Sequence, residues 1–224
     1  RRGLHVYNKV TDAFSRVSLT LPGEGYAPLE SIRGLLCDSN GRLWVLSGTR
    51  VFVSKKENSE LFELIEIQSN AGNGERKSVM RNIYEDSFGN IWISNNNKLF
   101  KVTQNKLGNF DSELVKFTFK KGIKNVRVNT IAEYPEGKLW IGTERLGVVL
   151  FDLNTNTQTV FNNEANNNNS LVNNKVRNII IDNSGEIWIG TVNGLSILDP
   201  ISNTFITIKS NPENDLSLSA NSII

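Results

Sequence analysis

One cysteine and one histidine are all that this sequence of 224 residues holds of two side chains much used in metal binding and catalysis. Cys37 stands alone, so no disulfide can form within the chain, and the redox compartment stays open. It sits in an apolar run, where a free thiol is expected to behave as a small buried hydrophobe. With His5 as the sole histidine, no Ser-His-Asp set can be assembled around it. No apolar run approaches the roughly 20 residues that would span a bilayer, and no secretory leader is visible. Charge of one sign is lacking too. The net charge is +2, which gives no reason to invoke nucleic acid or an anionic membrane surface. No stretch carries the 3.6-residue periodicity of an amphipathic helix.

What the sequence has instead is asparagine and a repeat. The 31 asparagines crowd the segments between apolar runs. Asn caps its own turns and tolerates left-handed backbone, so the composition is rich in turns. Trp44, Trp92, Trp140 and Trp188 recur every 48 residues. Their surroundings recur with them. The first copy runs from Ile32-Arg33-Gly34 through Asp38 and Gly41 to Leu43-Trp44-Val45. The second runs from Met80 through Asp86 and Gly89 to Ile91-Trp92-Ile93, and the third from Val128 through Gly137 to Trp140-Ile141-Gly142-Thr143. The fourth runs from Val176 through Asp182 and Gly185 to Trp188-Ile189-Gly190-Thr191.

Each copy decodes into strands. The apolar run Val176 to Ile181 reads as a buried strand. Asp-x-x-Gly follows as a hairpin turn, in which Asp bonds its own backbone and Gly supplies positive φ. Ile187-Trp188-Ile189 is a second strand, 194–198 a third and 204–208 a fourth. Four antiparallel strands per 48 residues is the arithmetic of a propeller blade. The expected fold is therefore all-β, a β-propeller fragment of four-stranded antiparallel blades. Residues 1–22 hold the outer strands of one blade. Four blades follow at 30–69, 78–119, 126–161 and 174–210, and 216–224 begins another. Both ends read as cuts inside a blade.

The string Asp-x-x-Gly-x-(Leu/Ile)-Trp-(Ile/Val)-Gly-Thr, then Gly-Leu and Asp-Pro, resembles the two-component regulator propeller repeat. Residues Asp182 to Thr191, Gly194-Leu195 and Asp199-Pro200 carry it most fully. Copies one and two lose the Gly-Thr, and copy three has Tyr134-Pro135-Glu136-Gly137 in place of the Asp turn. The resemblance implies the extracytoplasmic, periplasmic region of a bacterial hybrid two-component sensor histidine kinase. Such receptors typically carry two seven-bladed propellers and an immunoglobulin-like domain ahead of a membrane span and kinase modules, and many detect oligosaccharides. It implies as partners a small-molecule ligand such as an oligosaccharide, and a second copy in a homodimeric receptor. Nucleic acid is not a partner of this fragment, and the membrane is met only by the parent chain. No cofactor or metal is expected.

Among candidate functional residues the tryptophans could be sugar platforms, but a fixed place in every copy favours filling the seam between blades. Losing one such residue should cost about 3–5 kcal/mol. Asp38, Asp86 and Asp182 are turn residues, since a calcium loop needs several oxygens within about a dozen residues. Arg33, Arg81, Asn129 and Arg177 occupy one phase, near the start of each first strand. If that strand is innermost, they ring one mouth of the propeller, where Arg suits carboxylate, sulfate or phosphate. The plainer reading pairs each with a neighbouring blade's carboxylate or carbonyl. Loops at 23–31 with Tyr26, 71–78, 120–127 and 162–175 should share that face, as should Arg50, Asn96, Arg145 and Asn193. Tyr26 and Arg145 are the preferred contacts, and the run 166–169 is expected to be a flexible turn. Three functions follow: a sensor module, a structural or dimerisation spacer, and a propeller enzyme such as a lyase or lactonase using Glu85, Glu133 or Glu144. The last is disfavoured, since the inner strands bring no histidine.

Overall fold

Short runs of β-branched and aromatic residues, each closed by Asp, Asn or Gly, dictate strands and tight turns. The computed structural model describes residues 4–17, 19–21, 25–26, 31–55, 61–67, 78–96, 98–117, 126–214 and 217–223. Among them there is no helix, so none long and apolar enough to cross a membrane. The chain is an all-β, β-propeller fragment, and it divides into two compact units.

The first unit comprises Arg1–Glu85 and Gly89–Val115. It opens with the hairpin of β1 (Leu4–Asn8) and β2 (Ala13–Val17), then a short ribbon of β3 (Thr20–Leu21) and β4 (Gly25–Tyr26). The first blade is β5 (Ile32–Cys37), β6 (Leu43–Ser47), β7 (Arg50–Ser54) and β8 (Phe62–Ile65). The second is β9 (Met80–Glu85), β10 (Ile91–Asn95), β11 (Leu99–Gln104) and β12 (Phe110–Leu114). Both sheets are antiparallel and follow chain order. Trp44, Leu46, Val51 and Val53 of the first blade pack with Met80, Ile91, Ile93 and Val102 of the second. The ring of Phe110 meets that of Trp44 edge-on, with centroids 5.0 Å apart. Leu4, Leu19 and Leu21 close the other side of the first blade against Val45, Phe52 and Phe62.

The second unit comprises Asp86–Phe88 and Lys116–Ile224. Its blades are β13 (Val128–Glu133), β14 (Lys138–Thr143), β15 (Val148–Asp152) and β16 (Thr157–Phe161), then β17 (Val176–Ile181), β18 (Ile187–Thr191), β19 (Gly194–Asp199) and β20 (Thr204–Ile208). Trp140 and Val148 pack with Val176, Ile179, Ile187, Ile189 and Leu198. Gly142 is needed here: a Cβ would stand 2.7 Å from Val176 Cγ1. Residues 217–223 form no strand, but they bond to the last blade through Gly194 N to Asn221 O at 2.7 Å and Ile223 N to Thr191 O at 3.0 Å.

The turns of the repeat are stitched by their own side chains. Gly41, Gly89, Gly137 and Gly185 have φ of +73°, +76°, +79° and +87°. Asp38 Oδ1 accepts the backbone N–H of Asn40 and Arg42, and its Oδ2 accepts the Trp44 indole N–H at 2.9 Å. Asp182 and Trp188 make the same bond at 3.0 Å. Copy three lacks the Asp, and the Trp140 indole donates to the backbone carbonyl of Tyr134 at 2.6 Å.

Two expectations are corrected. Cys37 is exposed, because β5 alternates and Cys37 shares the outward phase of Arg33 and Leu35. Residues 166–169 form a bonded loop, not a loose one. Asn169 accepts the Phe205 N–H at 2.6 Å, and Ser170 Oγ donates to Asn167 O at 2.8 Å. Ser170 Oγ also accepts Glu164 N–H at 3.1 Å, and Ser217 Oγ likewise accepts Asn211 N–H at 2.8 Å.

Candidate functional site

The first strand of every blade carries a β-bulge, and the extra residue is the polar one of the repeat. Ile32 pairs with Ser47 and Gly34 with Leu46, which leaves Arg33 outside the ladder. Met80 and Asn82 pair with Asn95 and Ser94, skipping Arg81. Val128 and Thr130 pair with Thr143 and Gly142, skipping Asn129. Val176 and Asn178 pair with Thr191 and Gly190, skipping Arg177. A bulge bends the strand and re-aims a side chain. The first strands lie side by side within each unit, β5 by β9 and β13 by β17.

Loop side chains 15 residues downstream decide what becomes of each bulged residue. Arg81 Nε donates to Asn96 Oδ1. Asn129 Nδ2 donates to Glu144 Oε2 at 3.0 Å, and also to the Val176 carbonyl of the next blade at 2.8 Å. In copies one and four the loop positions are Gly48 and Val192, which offer no side-chain acceptor. Arg33 is exposed. Arg177 turns to Glu144 of the preceding blade, with Nη1 3.7 Å from Oε2.

Glu144 is the centre of the second unit's polar cluster. Its Oε1 lies 2.6 Å from Lys175 Nζ. Burial works to raise its carboxyl, but Lys175, the Asn129 amide and the charge of Arg127 outweigh it and hold the group below the usual range. Arg127 approaches through its backbone carbonyl, which accepts the Glu144 N–H at 3.0 Å. The buried Arg127 Nε has no hydrogen-bond partner among the described residues. Three cations thus stand around one carboxylate. Arg145 beside them is exposed.

The other glutamates are structural. Glu85 accepts the backbone N–H of Ser39 at 2.8 Å and its hydroxyl at 2.6 Å. Glu133 repeats this with Ser87, and also accepts Gly137 N–H at 2.7 Å. Sequence reading left these partners unseen, although Ser39/Glu85 and Ser87/Glu133 share a 46-residue spacing that could have revealed them. Tyr26's side chain and residues 71–77 and 120–125 lie outside the described residues. His5 is exposed on β1, opposite Arg16. Trp44, Trp92 and Trp140 are buried and Trp188 is half-buried, with Lys101 above the Trp92 ring. Among the described residues no three His, Cys, Asp or Glu side chains gather to hold a metal ion.

Residues 74–97, 122–145 and 170–193 match the two component regulator propeller family. Histidine kinase P4 of Formosa agariphila is 25% identical over an alignment of 117 positions, and the match covers 48% of this chain and 8% of that protein. The extracellular domain of a B. thetaiotaomicron protein, described as a one component system, superposes with a TM-score of 0.71 at 19% identity. That match covers 99% of this chain and 27% of that one. Virginiamycin B lyase from Staphylococcus aureus superposes with a TM-score of 0.61 at 13% identity, over 90% of this chain and 61% of that one. These likenesses are of fold. The chain spans about a quarter of the extracellular domain and a far smaller part of the kinase.

Proposed function

From the premise that this chain is built of two-component regulator propeller repeats, we propose that it is a ligand-sensing module of a bacterial two-component receptor. It works outside the cytoplasm, in the periplasm, as part of a homodimer, and binds an oligosaccharide or similar polar ligand through bulged residues of its blades. The observation that supports this most is the bulge repeated in four blades, which re-aims an Arg or Asn each time. A rigid sheet with a polar residue lifted out of its ladder is a scaffold suited to recognition. A ligand binding one arrangement of the receptor more tightly shifts its population and passes the signal on. The kinase chemistry belongs to residues beyond this chain. The lyase-like fold does not favour catalysis here, since Glu85 and Glu133 hold turn serines and Glu144 is held by Lys175 and Asn129.

The test is a thermal-shift screen of the chain against neutral and acidic oligosaccharides, with hits measured by calorimetry. A ligand at one hundred times its Kd should stabilise the fold by about 2.7 kcal/mol. Arg33→Ala and Arg177→Ala should weaken the hit. No hit in the screen, or affinity untouched by both substitutions, would sink the reading.

A further inference from the structure

The cluster around Glu144 is overfilled with positive charge. Lys175 and Arg177 are 38% and 39% exposed, while the carboxylate between them is 19% exposed. Glu144 gives one oxygen to Lys175 and shares the other between Asn129 and, at 3.7 Å, Arg177. That last distance is an ion pair and not a hydrogen bond, so the guanidinium meets the carboxylate without its two-pronged geometry. The buried Arg127 Nε is likewise unfilled. Three cations and one carboxylate leave an excess of two positive charges. A second oxyanion with one negative charge would offset half of that excess. The bulge at Arg177 lifts its side chain out of the ladder, and the absence of a side-chain acceptor at Val192 leaves it unlatched on its own blade.

We propose that Arg127, Lys175 and Arg177 form a subsite for an oxyanion carried by a saccharide, a carboxylate or a sulfate, and that Glu144 serves as its internal counter-ion. This rests on the sensing role proposed above. An arriving oxyanion takes the guanidinium of Arg177 in a bidentate contact and shares Lys175 with Glu144. Glu144 carries the same sign as the arriving oxyanion, so it competes with the ligand's charge. Removing its charge tightens binding of anions and leaves neutral sugars alone.

The experiment is calorimetry on the chain at fixed ionic strength with trigalacturonate, a sulfated disaccharide, inorganic sulfate and neutral maltotriose. Comparing the first two distinguishes carboxylate from sulfate. Glu144→Gln keeps the amide hydrogen bonds and should tighten the charged probes roughly fivefold, with maltotriose unchanged. The Lys175→Ala/Arg177→Ala double substitution should weaken charged probes at least tenfold, and Arg177→Lys should recover part of the loss. Circular dichroism shows whether each variant is folded, and the Arg177→Lys arm separates lost charge from lost packing. Weaker anion binding by Glu144→Gln, or equal effects on charged and neutral probes, overturns the subsite. Binding of maltotriose together with charged probes that are indifferent to all these changes would overturn it while the sensing role stands. No binding of any probe to any variant overturns the subsite, and the sensing role is then judged by the wider screen.

Discussion

Replacing Trp44 and Trp140 by phenylalanine should not cost the same, although the two residues hold one position of the repeat. Both rings are buried, and both sit in clusters that join two blades. Trimming indole to phenyl in such a site loses about 1–2 kcal/mol of packing in either case. The difference lies in the acceptor. The Trp44 indole donates to Asp38, a buried carboxylate, at 2.9 Å. Hydrogen bonds to charged groups contribute about 1.5–3 kcal/mol. The Trp140 indole donates to the Tyr134 carbonyl, on an exposed turn that water can serve once the donor is gone. A neutral bond of that kind is worth about 0.5–1.5 kcal/mol. Trp44→Phe should therefore destabilise by about 1–2 kcal/mol more than Trp140→Phe, or roughly 5–15 °C in Tm for a unit of about 100 residues. Thermal unfolding followed by far-ultraviolet circular dichroism measures it. Asp38→Asn provides the control, since neutralising the acceptor should shrink the Trp44→Phe cost toward that of Trp140→Phe. Equal costs for the two tryptophans in the unaltered background would refute the reasoning.

Two further outcomes follow. A double-mutant cycle on Ser39→Ala and Glu85→Gln should give a coupling of about 0.5–1 kcal/mol, because the Ser39 hydroxyl and Glu85 share a bond across two blades. Additive losses would mean that the contact does not hold the blades together. The Asp182 carboxyl should titrate at about 2 instead of 3.8, held there by the Ser184 hydroxyl first and the Trp188 indole second. Its folded-state value is depressed, so its contribution to stability is present above the ordinary value and is lost as pH falls from about 3.8 toward about 2. Carboxyl carbon shifts in an NMR titration measure this, and Ser184→Ala should raise the midpoint.

The fold was legible because a blade writes itself locally: turn, tryptophan strand, turn, strand, all within one 48-residue period. Strand alternation fixes faces only while the ladder is regular. One extra residue in β5, β9, β13 or β17 changes where a side chain points, yet leaves no mark on composition, so the bulges at Arg33, Arg81, Asn129 and Arg177 were invisible as bulges. Cys37 was misplaced for a related reason: an apolar run suggests burial on both faces, whereas β5 is exposed at every second residue. The serine partners of Glu85 and Glu133 lie 46 residues away and Glu144 meets Lys175 and Arg177 of the next blade, and a carboxylate in isolation looks the same whether it is a clamp or a base. The run 166–169 read as loose because polarity predicts solvent, but here the amides bond to each other's backbone and to the last blade.

The 15-residue relation between bulge and loop explains how equivalent blades can carry unequal chemistry. Arg81 with Asn96, and Asn129 with Glu144, are closed pairs in which the loop spends the donor that the bulge has lifted. Gly48 and Val192 spend nothing, so copies one and four present guanidinium groups while copies two and three present latches. Neither change touches the tryptophan, the turn or the seam, which means that the scaffold and the bulged residues are set by different positions of the repeat. A bulged residue can therefore be altered at the cost of a hydrogen bond, about 0.5–1.5 kcal/mol, whereas a seam residue costs several times more. That separation is what lets the repeat keep one architecture while the polar residues at its bulges change from blade to blade, and in the second unit it leaves Glu144 answering to two blades at once: latch for Asn129 and counter-ion for Arg177.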